Sequence, residues 1–199
     1  IIPCYKIKND LISLLNKSLD HFDVIIVVDD NCPYKTGSKV LKKFKNNKKI
    51  YVIHNKINLG VGGAVKKGIE YLIKSDVEIF VKIDGDGQMS LEDLDHMLLP
   101  IKNGNASYVK GSRFLDIKSR ILMPKLRYYG NKLMSIMYKF FSNDISVSDP
   151  LNGYLIMHRN IFKSINLNKL SNDFFFETDL LFNLKDNSIS VVELPVLIN

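Results

Sequence analysis

One stretch decides the fold: Ile79-Phe80-Val81-Lys82-Ile83-Asp84-Gly85-Asp86-Gly87-Gln88. Its first half is mostly apolar and predicts a buried strand over 79–83, and its second half places two carboxylates at the end of that strand. Alternate residues of a strand face the same side, so Asp84 and Asp86 are expected to point the same way. Neighbouring carboxylates repel each other unless a hard cation such as Mg2+ or Mn2+ neutralises them. The stretch therefore predicts a metal and phosphate site, and its simpler interpretation is an Asp-Gly turn.

Short apolar runs alternate with helical stretches along the chain. Besides an opening strand, strands are predicted over 24–28, 50–54, 79–83 and 108–111, and helices over 9–20, 38–46, 63–74, 91–101 and 128–141. The strand candidates are apolar throughout, which is typical of a parallel sheet covered on both faces. Ser90 is expected to cap the helix over 91–101, with Asp93 placed for a capping box. These elements predict an α/β protein with a Rossmann-like, mostly parallel central sheet and helices on both faces.

The composition is that of one globular domain. The chain has 199 residues, of which 46% are hydrophobic, and its mean hydropathy is −0.02. These values suit a single α/β domain with a full core. The chain begins at Ile1 without an initiator Met and ends on a strand-like run over 196–199. We therefore expect one domain over 1–199 that is truncated at both ends, and membrane segments beyond Asn199 are left open.

The charge and the cysteines indicate where the protein works. The formal charge of +7 comes mostly from scattered lysines, and their densest cluster, over 42–49, is interpreted as the solvated end of a helix. No nucleic-acid partner is expected, since no binding motif or aromatic interleaving accompanies it. Cys4 and Cys32 lack the spacing of metal ligands or of a disulfide framework, which favours buried thiols in a reducing cytoplasm. No apolar run approaches the roughly 20 residues that cross a bilayer. We expect a cytoplasmic protein, and a position at the inner face of the membrane is left open.

Three polar loops follow predicted strands. They are Pro3-Cys4-Tyr5-Lys6, Asp29-Asp30-Asn31-Cys32-Pro33 and the loop over 84–88. Ligands of open α/β sheets bind at the carboxyl ends of the strands, where these loops are expected to lie. Either acidic pair alone is better explained as an N-cap for the helix that follows it. Together, the two pairs indicate one site.

Six motifs occur in a recognisable order. They are Pro3-x-Tyr5, Val27-Val28-Asp29-Asp30 with Thr36-Gly37, Asn58-x-Gly60-x-Gly62-Gly63-Ala64, Asp84-Gly85-Asp86-Gly87-Gln88, Gly111-Ser112-Arg113-Phe114 and Asp149-Pro150-x-Asn152-Gly153-Tyr154. In this order they resemble the motifs of family 2 glycosyltransferases over nearly the whole chain. The branch is similar to dolichyl-phosphate mannosyltransferases and to bacterial polyprenyl-phosphate or polysaccharide glycosyltransferases.

The resemblance implies a GT-A fold and a single catalytic domain that transfers a sugar with inversion. The donor would be a nucleoside diphosphate sugar, with UDP or GDP. The acceptor would be a polyprenyl phosphate or a growing glycan, as in the synthesis of cell-envelope polysaccharides. A divalent cation, Mg2+ or Mn2+, would assist the transfer.

The resemblance assigns the donor site by position. Positions that hold the base and ribose are matched by Pro3, Tyr5 and Asp30. The Asp-x-Asp motif, which lies against the ribose and the diphosphate-bound metal, is matched by Asp84, Gly85 and Asp86, and Gln88 would line the same pocket. An Asn-Glu pair commonly follows the tyrosine in the family, whereas Lys6-Ile7 stands here. The identity of the nucleoside is therefore left open.

The resemblance also assigns two arginines. Arg113 and Arg127 match basic positions that face the donor diphosphate or the acceptor phosphate, and a planar guanidinium binds phosphate oxygens in pairs. The alternative is ordinary surface charge. With a metal at Asp86, these arginines would stabilise the departing diphosphate.

A hydroxyl acceptor also needs a general base, whereas an ionised phosphate needs little such help. The candidate carboxylates are Asp149, Glu177 and Asp179. Glu177 and Asp179 lie in a segment over 174–179 that resembles the acidic acceptor-side motif of the family. Alternatively, they begin a helix and complement its dipole.

The predicted helix over 128–141 is apolar nearly all round. Such a helix is either part of a core or an interfacial surface, and core packing is the commoner explanation. An enzyme that meets a lipid acceptor would need an apolar face near its site. Arg127 directly precedes this helix, so the two together would suit a polyprenyl phosphate.

Other classes of protein carry related motifs. A phosphatase of the haloacid dehalogenase type places its Asp-x-Asp on the first strand, whereas three βα units precede Asp84 here. A sugar nucleotidyltransferase needs a glycine-rich basic loop where Cys4-Tyr5-Lys6 stands. The run Gly60-Val61-Gly62-Gly63 lacks the third glycine and the acidic partner of a dinucleotide fingerprint. A non-catalytic nucleotide-sugar binding module is distinguished only by whether bound donor is turned over.

Overall fold

The computed structural model describes residues 1–7 and 10–197. Its strands, in chain order, are β1 (Ile2–Cys4), β2 (Ile25–Asp29), β3 (Ile50–His54), β4 (Ile79–Lys82), β5 (Tyr108–Ser112), β6 (Leu155–His158) and β7 (Val191–Pro195). The α-helices are α1 (Asp10–Ser18), α2 (Thr36–Lys43), α3 (Gly60–Leu72), α4 (Leu94–Lys102), α5 (Ile117–Leu122), α6 (Lys125–Ser142) and α7 (Phe176–Asp186). Short 3-10 helices lie at Leu91–Asp93, Arg159–Lys163 and Leu167–Lys169.

The strands form a mostly parallel sheet. In one part, β1, β2 and β3 pair in parallel, and in the other the order is β4-β6-β5-β7. Ile1 joins the two parts, because its N donates to Val81 O at 2.6 Å and its O accepts from Ile83 N at 3.2 Å. Only β6 runs antiparallel to its neighbours among the paired strands of the described chain. The predicted mostly parallel sheet is confirmed, whereas β6 and β7 were not predicted from the sequence.

Alternate residues of β2 supply two hydrophobic cores. Ile26 and Val28 pack into one core with α3 and α7, while Ile25 and Val27 pack into the other with α1, α2 and α4. This division follows from the two-residue period of a strand. All of β2 is buried, so helices cover both faces of the sheet, as the apolar strand pattern predicts. The edge strand β3 departs from that pattern, because Tyr51 is 44% exposed.

Carboxylates at the end of β2 set where two helices begin. The helix predicted over 38–46 is α2 and the one predicted over 63–74 is α3, and both begin earlier than expected. Asp29 Oδ2 accepts from Gly37 N at 2.8 Å, and Asp30 Oδ2 accepts from Gly60 N at 2.9 Å. Both carboxylates thus bind a backbone amide in the first turn of a helix, but the N-cap positions are Lys35 for α2 and Leu59 for α3. The interpretation of this acidic pair as N-caps is therefore wrong.

Several other boundaries also shift. The helix predicted over 9–20 is α1, and residue 9 lies outside the described residues. The helix over 128–141 is the longer α6, which follows Pro124. Ser90 caps the 3-10 helix by accepting from Glu92 N, whereas Asp93 accepts from Leu197 N at 2.7 Å and completes no capping box. Residues 196–197 follow β7, and the rest of the strand-like run, 198–199, lies outside the described residues. None of the helices within the described ranges combines the length and hydropathy that a membrane span requires.

Candidate active site

A cleft of about 650 Å³ opens where β1, β2, β4 and β5 end. Its volume lies within the range of about 300 to 1,000 Å³ typical of small-molecule sites. Of the residues expected at the site, those that line the cleft are Pro3, Tyr5, Asp30, Asp84, Gly85, Asp86, Arg113, Arg127 and Glu177. A smaller adjoining pocket of about 80 Å³ is lined by Gln88 together with Asp84, Asp86, Arg113 and Arg127. The fold thus gathers most of the expected residues in one place.

Neither Asp84 nor Asp86 is on a strand, because β4 already ends at Lys82; Asp84 follows the strand and Asp86 lies in the turn after it. The strand-based reason for their common direction is therefore wrong, although both side chains line the cleft. Asp86 is exposed, and its Oδ1 accepts from Gln88 N at 3.0 Å. Asp84 is partly exposed and forms an ion pair with Lys82. The charge of Asp84 is therefore neutralised by a lysine, whereas the charge of Asp86 faces solvent.

Lys82 is a site residue that the sequence reading missed. Its side chain is 1% exposed, and Nζ lies 2.7 Å from Asp84 Oδ1 and 2.8 Å from Glu177 Oε1. Burial alone lowers the pKa of Lys82, but the charges of Asp84 and Glu177 outweigh it and raise the pKa above its ordinary value. The ammonium is therefore charged at neutral pH and links the loop after β4 to the start of α7. A lysine inside an apolar strand was the available signal, since buried lysines need acidic partners.

Gly153 makes room for this ion pair. A Cβ at this position would collide with Lys82 Nζ and would lie 2.9 Å from Asp84 Oδ2. Gly153 therefore allows the backbone before β6 to pack directly on the floor of the cleft. The lack of space for a Cβ therefore explains why a glycine stands in the motif Asn152-Gly153-Tyr154.

Asp30 holds the start of α3 while it lines the cleft. Its side chain accepts from Asn55 Nδ2 at 2.7 Å, from Leu59 N at 2.9 Å and from Gly60 N at 2.9 Å. A carboxylate has about four lone-pair sites, so three donors leave one for a ligand. The predicted contact with a base or ribose is thus compatible with the geometry, while the contacts that the structure displays bind Asp30 to Asn55 and to the backbone at the start of α3.

Arg113 is held in place by Asp149. The side-chain Nε and Nη2 of Arg113 donate to the two Asp149 oxygens, each at 2.7 Å, and Arg113 N donates to Oδ2 at 3.1 Å. Asp149 is fully buried. Both of its oxygens bind Arg113, and Asp149 is not among the residues that line the cleft. In the structure Asp149 fixes the orientation of Arg113, and its role as a general base stays a prediction.

Glu193 on β7 binds the segment that carries Asp149. Its carboxylate accepts from Ser148 N, Ser148 Oγ and Asp149 N, with the Asp149 contact at 2.8 Å. Burial raises the pKa of Glu193 above its ordinary value, although these hydrogen bonds oppose the shift. Glu193 was not predicted from the sequence, because nothing local marks a strand glutamate as the support of a distant turn.

The other two candidate bases, Asp179 and Glu177, bind different partners. Asp179 Oδ2 accepts from Ser171 N at 2.8 Å and from Ser171 Oγ at 3.1 Å, and Asp179 is not among the residues that line the cleft. Glu177 lines the cleft but is 5% exposed and bound by Lys82. The loop before α7 adds two residues to the lining: Phe174, from the predicted acceptor-side segment, and Asp173, which was not predicted. Of the three candidates, Glu177 alone reaches the cleft.

The helices α5 and α6 present an exposed apolar surface beside the cleft. This apolar helix surface consists of Ile117, Ile121, Leu122, Leu126, Tyr129, Leu133, Ile136, Met137, Phe140 and Phe141, whose exposed fractions run from 42% to 89%. Of the two explanations for the helix over 128–141, core packing therefore holds for Tyr138, which is buried, whereas most of its other apolar side chains are exposed. The charged residues of both helices are all Lys or Arg. Arg127 on α6 is exposed and lines the cleft, so the surface and the cleft meet at this residue.

The family model of Glycosyl transferase family 2 matches residues 1–165. The chain belongs to glycosyl transferase family 2. This glycosyltransferase is 27% identical over 210 residues to the UDP-N-acetylglucosamine--dolichyl-phosphate N-acetylglucosaminyltransferase of Methanococcus voltae, with 98% of this chain and 83% of the relative covered. It is 27% identical over 174 residues to the polyprenol monophosphomannose synthase of Mycolicibacterium smegmatis, with 86% of this chain and 65% of the relative covered.

A comparison of folds agrees with this family. The glucosyl-3-phosphoglycerate synthase of Mycobacterium tuberculosis, in complex with Mn2+ and UDP-glucose, superposes with a TM-score of 0.70 at 17% identity. The match covers 98% of this glycosyltransferase and 68% of the synthase. At this identity the likeness concerns the fold alone, and the expected GT-A fold is confirmed. Membership of the family also excludes the haloacid dehalogenase type of phosphatase.

The carboxylates of the glycosyltransferase suit a metal that also binds the substrate. Within residues 1–7 and 10–197, no group of three or more His, Cys, Asp and Glu side chains gathers to hold an ion. Asp86 and the Oδ2 atom of Asp84 offer hard oxygen ligands at the cleft. Mg2+ commonly takes one or two carboxylates and completes its shell with substrate phosphates and water. The donor set therefore fits such an ion and does not form a closed protein cage.

Proposed function

We propose that this glycosyltransferase transfers a sugar from a nucleoside diphosphate sugar, with UDP or GDP, to a polyprenyl phosphate, with inversion and with the help of Mg2+ or Mn2+. One observation carries the proposal. The cleft that contains the acidic turn and two arginines borders the apolar helix surface, because Arg127 lines the cleft and lies on α6 among the residues of that surface. A ligand with a phosphate and a long apolar tail matches that combination. The activities of the archaeal and mycobacterial relatives support the same class of acceptor.

On the donor side, Asp86 and Asp84 would hold the divalent cation. When bound, that cation supplies charge neutralisation for the departing diphosphate. Tyr5 is 42% exposed, lines the cleft and offers a ring on which a base can stack. Arg113 brings a guanidinium whose orientation Asp149 has already fixed, so little entropy is lost when it binds a phosphate.

The state of the candidate bases favours a phosphate acceptor. Asp149 is occupied by Arg113, Asp179 binds Ser171, and Glu177 is bound by Lys82. A sugar hydroxyl would need one of these carboxylates as a base, whereas an ionised phosphate attacks without one. Glycan elongation is therefore the less favoured use of this cleft.

The apolar helix surface would place the enzyme at a membrane. Its side chains suit the boundary between headgroups and acyl chains, and the surrounding Lys and Arg suit anionic lipids. Arg127 would then lie at headgroup depth, where the phosphate of a polyprenyl carrier lies. This supports a position at the inner face of the membrane, with cytoplasmic access to the nucleotide sugar.

The proposal is tested by a transfer assay with a panel of UDP and GDP sugars, each with Mn2+. The acceptors are a polyprenyl phosphate in detergent, the same polyprenol without its phosphate, and an oligosaccharide. We expect product from the polyprenyl phosphate alone, with an anomeric configuration opposite to that of the donor when measured by NMR. Binding of donor without turnover of any acceptor would instead identify a non-catalytic binding module. Transfer to the oligosaccharide in preference to the lipid would identify a glycan-elongating enzyme.

A further inference from the structure

Asp84 is neutralised by a residue of its own chain. Lys82 is buried next to it, and its Nζ lies 2.7 Å from Oδ1, whereas Asp86 has no ion-pair partner in the described parts of the chain. Gly153 packs against the same ammonium and keeps it at the floor of the cleft. The acidic turn therefore presents one free carboxylate and one that is already paired.

The ion pair between Lys82 and Asp84 weakens the binding of a divalent cation to the acidic turn. A divalent cation at Asp84 and Asp86 would lie near the Lys82 ammonium, and the two positive charges repel each other strongly in a partly buried site. The cation would also have to share Asp84 with Lys82. A donor diphosphate brings additional negative oxygens, which offset the repulsion and supply ligands that the protein lacks.

We infer that Lys82 is a positioning residue that makes metal binding depend on the donor diphosphate. It occupies Asp84 in the free protein, so the cation binds weakly alone and tightly together with the nucleotide. The inference takes the metal and the diphosphate from the proposed function. Because coupling between two ligands is reciprocal, the factor by which the nucleotide tightens metal binding equals the factor by which metal tightens nucleotide binding.

The chain offers a charge-conserving test. Lys82, Asp84, Asp86 and Glu177 together carry a formal charge of −2. The double variant Lys82→Met with Glu177→Gln removes one positive and one negative charge, so the total is unchanged while Asp84 becomes free. The single variant Glu177→Gln retains Lys82 on Asp84. Lys66→Met is the matched control, because Lys66 is also a buried lysine but donates to Leu170 O outside the acidic turn.

The experiment titrates Mn2+ into each protein without nucleotide and measures free Mn2+ by electron paramagnetic resonance. We expect the double variant to bind Mn2+ about 10-fold more tightly than the wild type, a factor within the usual range of coupling between ligands. Lys66→Met and Glu177→Gln are expected to show no tightening. Equal affinity in the double variant and the wild type, with folding verified by circular dichroism, would overturn the inference. So would the same tightening in Glu177→Gln alone.

A second series repeats the titration with saturating UDP or GDP. The nucleotide is expected to tighten Mn2+ binding at least about 10-fold in the wild type and much less in the double variant. Should the double variant fail to fold, the wild-type factor alone decides, and a factor near one contradicts the inference. If no nucleoside diphosphate binds to any of the proteins while the Mn2+ results without nucleotide hold, the proposed function fails and the effect of Lys82 on the metal stands.

Discussion

Arg113 and Asp149 form a two-point ion pair in which Nε donates to Oδ2 and Nη2 donates to Oδ1, both at 2.7 Å. The carboxylate is fully buried, and the arginine lines the cleft. The aspartate of the motif Asp149-Pro150 thus holds its neighbour, and the guanidinium is fixed before any ligand arrives. Such pre-organisation is what a site that binds a charged leaving group requires.

The first prediction concerns this pair. Asp149→Asn removes the charge that holds Arg113, so we expect transfer to fall about 10- to 100-fold, since an electrostatic stabiliser is lost from its position. The free energy of unfolding should also fall by about 3 kcal/mol, because a buried arginine loses its partner. Steady-state kinetics and urea denaturation measure the two effects. The exposed Asp95→Asn serves as control, and equal activity of the two variants would contradict the role of Asp149.

The second prediction concerns the glycine above Lys82. Gly153→Ala places a methyl group against Lys82 Nζ and Asp84, so we expect it to destabilise the fold by about 2 kcal/mol through steric strain. Gly130→Ala is the matched control, since nothing lies within 4 Å of a Cβ at Gly130. In an exposed helix interior that control should be stabilising by about 1 kcal/mol. Thermal unfolding compares them, and a neutral Gly153→Ala would show that the ion pair is not packed as described.

The third prediction concerns Lys110, which is buried on β5 and donates to Asn152 O. Burial lowers the pKa of Lys110 from 10.5 to about 8, against the opposing charges of Asp149 and Glu177. Between about pH 8 and pH 10.5 the unfolded chain holds a proton on Lys110 that the folded protein has released. The stability of the folded protein therefore rises with pH in this window, and this gain is absent below the pKa of the folded protein.

Denaturation at pH 8 and pH 10 measures that contribution. The unfolding free energy of the wild type minus that of Lys110→Met should increase by about 2 kcal/mol from pH 8 to pH 10. Using a difference removes the titration of other groups, which both proteins share. The exposed Lys102→Met should show no such growth. A difference that is flat with pH would mean that Lys110 keeps its proton in the folded protein.

The fourth prediction concerns the metal. Asp86→Asn keeps the shape of the exposed carboxylate but removes its charge, so the Mn2+-dependent affinity for UDP or GDP should fall by about 1.5 to 3 kcal/mol, the scale of a charged contact. Isothermal titration with and without Mn2+ measures it. Glu92→Gln, also exposed and nearby in the chain, is the control. Unchanged metal-dependent affinity in Asp86→Asn would remove this residue from the site.

Much of the fold could be predicted because apolar runs report directly on burial. The unbroken apolar run of β2 gave the two-sided sheet, and the order of the motifs gave the loops that meet at the cleft. The helix starts were misplaced because Asp29 and Asp30 reach forward to bind the first turns of α2 and α3, a long-range effect. The antiparallel β6 was missed although a short apolar run after Asn152-Gly153 marks it.

The site was predicted less completely, for a physical reason. Residue type and position indicated that Asp84, Asp86, Arg113 and Arg127 belong together, but not which of them are already paired. The pairing of Lys82 with Asp84 and Glu177 joins residues up to 95 positions apart, and that of Arg113 with Asp149 spans 36 positions. Likewise, the apolar residues of α6 look the same in sequence whether they face a core or solvent. Only the packing of neighbouring elements distinguishes these cases.

The most direct test of the account is the comparison of Arg127→Ala with Arg120→Ala. Both arginines are exposed on the basic, apolar helices α5 and α6, but Arg127 lines the cleft. We expect Arg127→Ala to lower transfer to polyprenyl phosphate by about 10- to 1000-fold with little change in donor affinity, because a phosphate contact made in the transition state is lost. Arg120→Ala and Asp179→Asn should transfer nearly as well as the wild type. Intact lipid transfer in Arg127→Ala, with transfer to an oligosaccharide abolished by Glu177→Gln or Asp179→Asn, would contradict the account and show that the enzyme elongates glycans.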